Sequence, residues 1–134
     1  MQRDIVLRWL EQIRALVARM LRGDRDAEIE LIDHHIDGAI GQLLGSSTAL
    51  IERLEPGPAA SVLGDPLRIH GYAQLVALRS AALGARQGDP AKVRSLAERA
   101  VQLTREAIRR ADPAPPEWLE WLAAMEDELG AGRE

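Results

Sequence analysis

Apolar residues recur at three- and four-residue steps along most of the chain, which is the spacing of one face of an α-helix. Pro and Gly residues interrupt this pattern at a few points and divide the chain into helical segments. The predicted segments are residues 1–22, 27–54 with a break at Gly45–Ser47, 66–110, and 116–129. We expect residues 55–65, which contain two prolines, to form a surface connection with one helical turn near Ala60–Leu63. The pattern therefore predicts an all-α, single-domain bundle of about five helices over residues 1–134.

Two Asp-Pro pairs mark the clearest helix starts and bound a predicted helical hairpin over residues 66–110. In Asp65-Pro66 and Asp89-Pro90 the Asp side chain can cap the helix, and the proline fixes the first helical φ. The first hairpin helix is apolar on almost every side, so we expect it to lie at the centre of the bundle. The second hairpin helix has one apolar side and one charged side.

This hairpin resembles a single tetratricopeptide repeat. Its turn, Gln87–Pro90, contains the glycine of that repeat, and Ala81 and Ala100 are the small residues expected in its two helices. Val93 and Arg105 depart from the repeat, which prefers Ala and Pro at those positions. No second copy is found within the 134 residues. The resemblance therefore implies a way of packing helices and no particular ligand.

Three short stretches also resemble an uncharacterised bacterial family of short all-helical proteins. They are Met1–Ile5, Leu43–Gly45 and Gln87–Asp89. This second resemblance covers most of the chain, and it implies no activity and no catalytic residue.

The amino-acid composition supports helices and excludes several classes of protein. Hydrophobic residues make up 46% of the chain, and most of them are Ala and Leu, which favour helices over strands. Cysteine is absent, which excludes disulfide scaffolds, zinc fingers, thiol catalysis and iron–sulfur clusters. No stretch is long and apolar enough for a spanning helix, and Arg8, Glu11 and Arg14 interrupt the one candidate signal peptide. We therefore expect a cytoplasmic protein.

The net charge of −4 is arranged in four blocks of alternating sign. Residues 1–22 carry five Arg and two acids, whereas residues 23–56 are acidic. Residues 57–111 are basic, and residues 112–134 are acidic again. Opposite charges would then face each other across helix contacts, at roughly 0–1 kcal/mol for each exposed pair. Since each basic block has an acidic neighbour within the chain, we expect no nucleic-acid partner.

Two sets of residues have side chains suited to metal binding or catalysis. Glu30, His34 and Asp37 share one face of the second helix, but their spacing differs from that of the di-iron bundles. We expect them to form a solvated acidic surface that holds no metal or cofactor. His70 lies on the apolar central helix, and no Ser, Asp or Glu is placed by the sequence to orient it. We therefore expect a hydrogen-bonded core histidine in a protein that is not an enzyme.

Two alternative functions depend on arginine residues. Arg68, Arg79 and Arg86 fall on one line of the central helix, and their guanidinium groups could bind a carboxylate or phosphate of a small ligand. Ion pairing with the acidic second or last helix is the more ordinary interpretation of that line. Residues 1–22 combine five Arg with a broad apolar face, as do helices that lie on a membrane surface. Packing within the bundle or a dimer contact explains the same pattern.

All three tryptophans lie in the predicted terminal helices. Tryptophan is over-represented at protein-binding hot spots, although contact between the two terminal helices of one copy is an alternative. We predict a non-enzymatic interaction or adaptor module that binds a protein partner or a second copy of itself through apolar strips on these helices. The candidate contact residues are Trp9, Trp118, Trp121, Leu122 and Met125.

Overall fold

The computed structural model describes residues 28–131 and, earlier in the chain, Arg8, Glu11 and Ala15 as helical residues. The rest of the predicted helix 1–22, including Trp9, lies outside the described residues. Within residues 28–131 the elements are helices and no strand is present, so the predicted all-α class is confirmed. None of the helices in this range is long and apolar enough to cross a membrane.

Six α-helices and one short turn of 3-10 helix follow one another in residues 28–131. The α-helices are α1 (Glu28–Leu44), α2 (Thr48–Arg53), α3 (Pro56–Leu63), α4 (Pro66–Ala85), α5 (Pro90–Arg110) and α6 (Pro116–Ala131). The 3-10 turn, Gly45–Ser47, joins α1 to α2 at the predicted break.

The helical turn predicted near Ala60–Leu63 is present, but it is part of a longer helix, α3, so residues 55–65 are more ordered than the predicted surface connection. Pro56 occupies the first turn of this helix, where the missing N–H has no intrahelical partner to lose. Ala59, Ala60 and Leu63 are buried against the core. The prediction underestimates the length and burial of this helix, because prolines at the start of a short helix resemble those of a loop in sequence.

The predicted hairpin consists of α4 and α5, and both of its Asp-Pro starts are confirmed. The side chains of Asp65 and Asp89 each accept a hydrogen bond from the N–H two residues further on, at 3.1 and 3.0 Å. The turn between the helices requires Gly88, since a Cβ there would overlap the Leu83 side chain. The local sequence therefore sets where each hairpin helix begins and how tightly the chain turns between them.

The first hairpin helix, α4, lies at the centre of the described bundle. Ile69, Tyr72 and Leu75 are buried on it, and α1, α3 and α5 pack around it. The predicted apolar stripe of α1 faces the same core through Ile32, Ile36 and Ile40. This arrangement confirms that the helix with apolar residues on almost every side is central.

The guanidinium group of Arg99 ties α5 to the end of α2. It donates hydrogen bonds to the carbonyl oxygens of Leu54 at 2.7 Å and Ile51 at 2.9 Å. It also lies 5.8 Å from the centre of the Tyr72 ring. The end of a helix leaves such carbonyls without intrahelical partners. Arg99 therefore satisfies the end of α2 and holds it against the hairpin.

A small ionic group lies on the outer side of α5, at Glu106. Hydrogen bonding from Arg109 lowers the pKa of the Glu106 carboxyl from its usual value, partial burial opposes this, and Arg110 lowers the pKa further. The same contact raises the pKa of the Arg109 guanidinium. The folded state therefore favours the ionised form of Glu106.

Candidate functional site

An open groove of about 950 Å³ lies between α4, the start of α5, and α6. Its α4 wall is formed by small residues four and three positions apart, which share one side of that helix. Its α6 wall is formed by large apolar residues at four-residue steps. The residues lining it include Ala77, Ala81 and Gly84 on α4, Val93 on α5, and Trp121, Met125 and Leu129 on α6. We refer to this feature as the groove.

The two tryptophans of α6 occupy different environments. Trp118 is 8% exposed, and the centre of its ring lies 4.7 Å from that of His70 on α4. Trp121 is half-buried: its ring meets the His70 ring edge-on at 5.2 Å and also lines the groove. The first half of α6 is thereby held against α4, and the groove opens beside its second half. Trp118 therefore belongs to the core, whereas Trp121 serves both the core and the groove.

The structure brings only part of the predicted contact set together within residues 28–131. Trp121 and Met125 line the groove, Trp118 lies in the core, and Leu122 is half-buried outside the groove lining. Trp9 lies outside the described residues. The α4 wall of the groove was not predicted from the sequence. Small residues on a central helix have the same spacing whether they line a groove or pack against another helix.

His70 is a buried residue that links the core to the groove. Its Nδ1 lies 3.1 Å from the Thr104 hydroxyl, and its Nε2 lies 2.8 Å from the side-chain nitrogen of Gln74, which donates to it. Gln74 also lines the groove. With both ring nitrogens hydrogen-bonded and both indoles against its ring, His70 fixes the position of α6 on α4.

The predicted arginine line of α4 faces α1. Arg79 forms an ion pair with Asp37, and Arg86 forms one with Asp33. The Nε of Arg68 donates to the Leu43 carbonyl oxygen at 2.9 Å. These contacts run antiparallel along the two helices and engage all three guanidinium groups within the bundle. They favour the interpretation of the line as a helix-to-helix contact over that of a site for an anionic ligand.

The predicted acidic face of the second helix shows no metal site in the part that is described. His34 and Asp37 are exposed on α1, and Asp37 pairs with Arg79. The side chain of Glu30 lies outside the described residues. Among the residues from 28 to 131 whose side chains are described, no group of three or more His, Asp or Glu could hold a metal ion.

The α6 edge of the groove is acidic. This helix carries five acidic residues and no basic residue, and Glu128 among them lines the groove. Within the described part of the chain only Glu126 of these acids has an ion-pair partner, Arg105 at 2.6 Å. One cation, Arg94, also lines the groove, and its charge is compensated by Glu98 at 3.0 Å. The groove is therefore an apolar surface with one uncompensated negative charge, Glu128, at its α6 side, and further unpaired acids lie elsewhere on that helix.

Comparison with known proteins finds no family model, curated protein or solved structure that matches this chain. An apolar surface of this shape suits a helix more closely than it suits a small polar ligand.

Proposed function

We propose that this protein is a non-enzymatic interaction module that receives one amphipathic helix of a protein partner in the groove. The observation that carries the proposal is the row of partly exposed apolar side chains on α6, Trp121, Met125 and Leu129, facing small residues on α4. Burying exposed apolar surface of this kind against a partner lowers the free energy, because it removes that surface from water. Helix-in-groove recognition uses the same arrangement, with apolar anchors three and four residues apart on the incoming helix.

The dimensions of the groove fit this mode of binding. Its α4 wall runs from Gln74 to Gly84, which is about 15 Å of helix, or roughly three turns. The small side chains of Ala77 and Ala81 let another helix approach α4 closely. Trp121 supplies an anchor of the type most common among binding hot spots. Three turns accommodate three or four apolar anchors of an incoming helix.

The proposal assigns no catalytic residue. His70 is the one buried imidazole in residues 32–130, and its ring nitrogens are hydrogen-bonded to Thr104 and Gln74. Its ring is also covered by the indoles of Trp118 and Trp121. These contacts support a positioning role for His70 in the core.

The test is a peptide titration of the full-length chain followed by methyl NMR. Three synthetic peptides share one apolar stripe and carry Lys, Gln or Glu at every polar position. We expect the methyl signals of Met125, Leu129 and Val93 to shift on addition of at least one peptide. The methyl signals of Leu50 and Val62, which are 54% and 47% exposed on α2 and α3, serve as the control and stay unchanged.

A matched pair of variants shows whether the binding depends on the groove. Ala81→Trp fills it, whereas Ala124→Trp adds the same side chain to an exposed position of α6 outside the groove lining. We expect Ala81→Trp to weaken peptide binding at least tenfold, or by about 1.4 kcal/mol, and Ala124→Trp to leave it unchanged. Absence of shifts with all three peptides, or equal shifts at Leu50 and Met125, would contradict the proposal.

A further inference from the structure

We infer that the helix received by the groove is residues 1–22 of a second copy of this chain, so that two copies associate by placing their N-terminal segments in each other's grooves. This inference rests on the proposed helix-binding function. It adds the identity of the partner and a reciprocal, two-fold arrangement, in which each copy both offers a segment and accepts one.

Charge is the first observation that selects this occupant. Four of the acids on α6 are exposed and have no ion-pair partner within the described part of the chain: Glu117, Glu120, Asp127 and Glu128. Residues 1–22 carry five Arg and two acids. Complementary charges of this kind select a partner and its orientation. Pairing of α6 with α6 of another copy would instead bring two acidic helices together, which opposes that arrangement.

The apolar pattern of residues 1–22 fits the length of the groove. Trp9, Ile13, Leu16 and Met20 follow one another at steps of four, three and four residues, which places them along one side of a helix over about three turns. Three residues of this segment that the structure describes, Arg8, Glu11 and Ala15, are helical and exposed. At 100° per residue these three lie on the side opposite the apolar stripe.

Helix α1 begins at the end of the bundle where one end of the groove also lies. Asp33, in the second turn of α1, pairs with Arg86 at the end of α4. Gly84 and Gln87, on either side of Arg86, line the groove. The first turns of α1 therefore lie at the same end of α4 as Gly84 and Gln87, on the side of α4 that carries the arginine line. None of the described residues fills the groove, so its apolar wall and Glu128 at its α6 side are available to this segment of a second copy.

The test is a complementation experiment with two full-length variants. Ala81→Trp blocks the groove and keeps the N-terminal segment, whereas Leu16→Asp places a charge on the apolar stripe and keeps the groove. Their matched controls are Ala124→Trp and Ala15→Asp, which make the same kinds of change at exposed helical positions. Sedimentation velocity of each protein from about 1 to 100 µM reports association, and circular dichroism verifies that each variant is folded.

We expect the wild type and both control variants to dimerise, and each blocking variant alone to associate at least tenfold more weakly. An equimolar mixture of Ala81→Trp and Leu16→Asp should recover a heterodimer, because the segment of the first variant fits the groove of the second. A monomeric wild type, or a mixture that associates no better than its components, would overturn the inference. If the Lys peptide still binds the groove in that case, the proposed function stands and only the identity of the partner fails. If no peptide binds, both fail.

Discussion

The two tryptophans of α6 should respond in opposite ways to truncation, because one is enclosed by the core and the other borders the groove. Trp118 is 8% exposed and its ring lies against His70. Replacing a buried Trp by Ala removes its contacts and leaves a cavity, at a cost of roughly 3–5 kcal/mol. For a chain of this length that cost corresponds to a fall in Tm of about 11–18 °C.

Trp121 is half-buried, so Trp121→Ala should cost about 1–2 kcal/mol of folding free energy and leave the fold intact. The larger effect of Trp121→Ala should be on the affinity of the groove for a helix. Loss of a tryptophan anchor at a helix-binding surface weakens association by 2 kcal/mol or more in typical cases, or roughly thirtyfold in Kd. At a temperature well below its reduced Tm, Trp118→Ala should bind the Lys peptide with a Kd within about threefold of the wild-type value.

Urea denaturation followed by circular dichroism gives the free energy of unfolding, and fluorescence anisotropy of a labelled Lys peptide gives Kd. The reasoning would be refuted if Trp121→Ala destabilised the chain as much as Trp118→Ala does. It would also be refuted if Trp121→Ala left peptide binding unchanged. Met125→Ala is a useful companion, because Met125 lines the groove and is half-buried, so its loss should weaken binding with a smaller loss of stability than Trp118→Ala causes.

Three further predictions concern the bundle itself, and each is measured by urea denaturation. Arg99→Met removes the donors that satisfy the end of α2 and should destabilise the chain by about 1–3 kcal/mol. Gly88→Ala should lower the free energy of unfolding by about 1–3 kcal/mol, because its Cβ would overlap Leu83 at the hairpin turn. Gly38→Ala, in open space on α1, should raise it by up to about 1 kcal/mol. Equal effects of the two substitutions would contradict these contacts. Glu106→Gln should destabilise by up to about 1 kcal/mol at neutral pH. Because folding lowers the pKa of Glu106 from its usual 4.5, this loss should shrink as the pH falls through and below that value; a loss that persists at low pH would contradict the assignment.

The helices of this protein could be predicted from local sequence, because caps and apolar spacing act within a few residues. Asp65 and Asp89 start α4 and α5 as expected, and the central place of α4 follows from apolar residues on nearly every side. Helix α3 could not be predicted in the same way. Its prolines are compatible with either a loop or a helix start, and burial of Ala59 and Ala60 depends on the packing of the rest of the chain.

Only the α6 side of the groove includes residues that the sequence predicted as contact residues. Trp121 and Met125, two of the contact residues predicted from the sequence, line the groove. The α4 wall could not be predicted, since whether Ala81 faces a neighbour or open space depends on where α6 lies. That position is set by the packing of α6 on α5 and by the contacts of Trp118 and Trp121 with His70, which lies about 50 positions earlier in sequence.

Site-specific photo-crosslinking shows directly whether a helix of a second copy occupies the groove. A photoreactive phenylalanine derivative at Ala81 probes the groove, and the same residue at Gln102, exposed on α5 and outside the groove lining, serves as the control. In a mixture of isotopically light and heavy chains, we predict crosslinks from Ala81 to residues 1–22 of the other copy, and none above background from Gln102. Crosslinks from Ala81 that join only residues of one copy, or a yield equal to that at Gln102, would contradict the account.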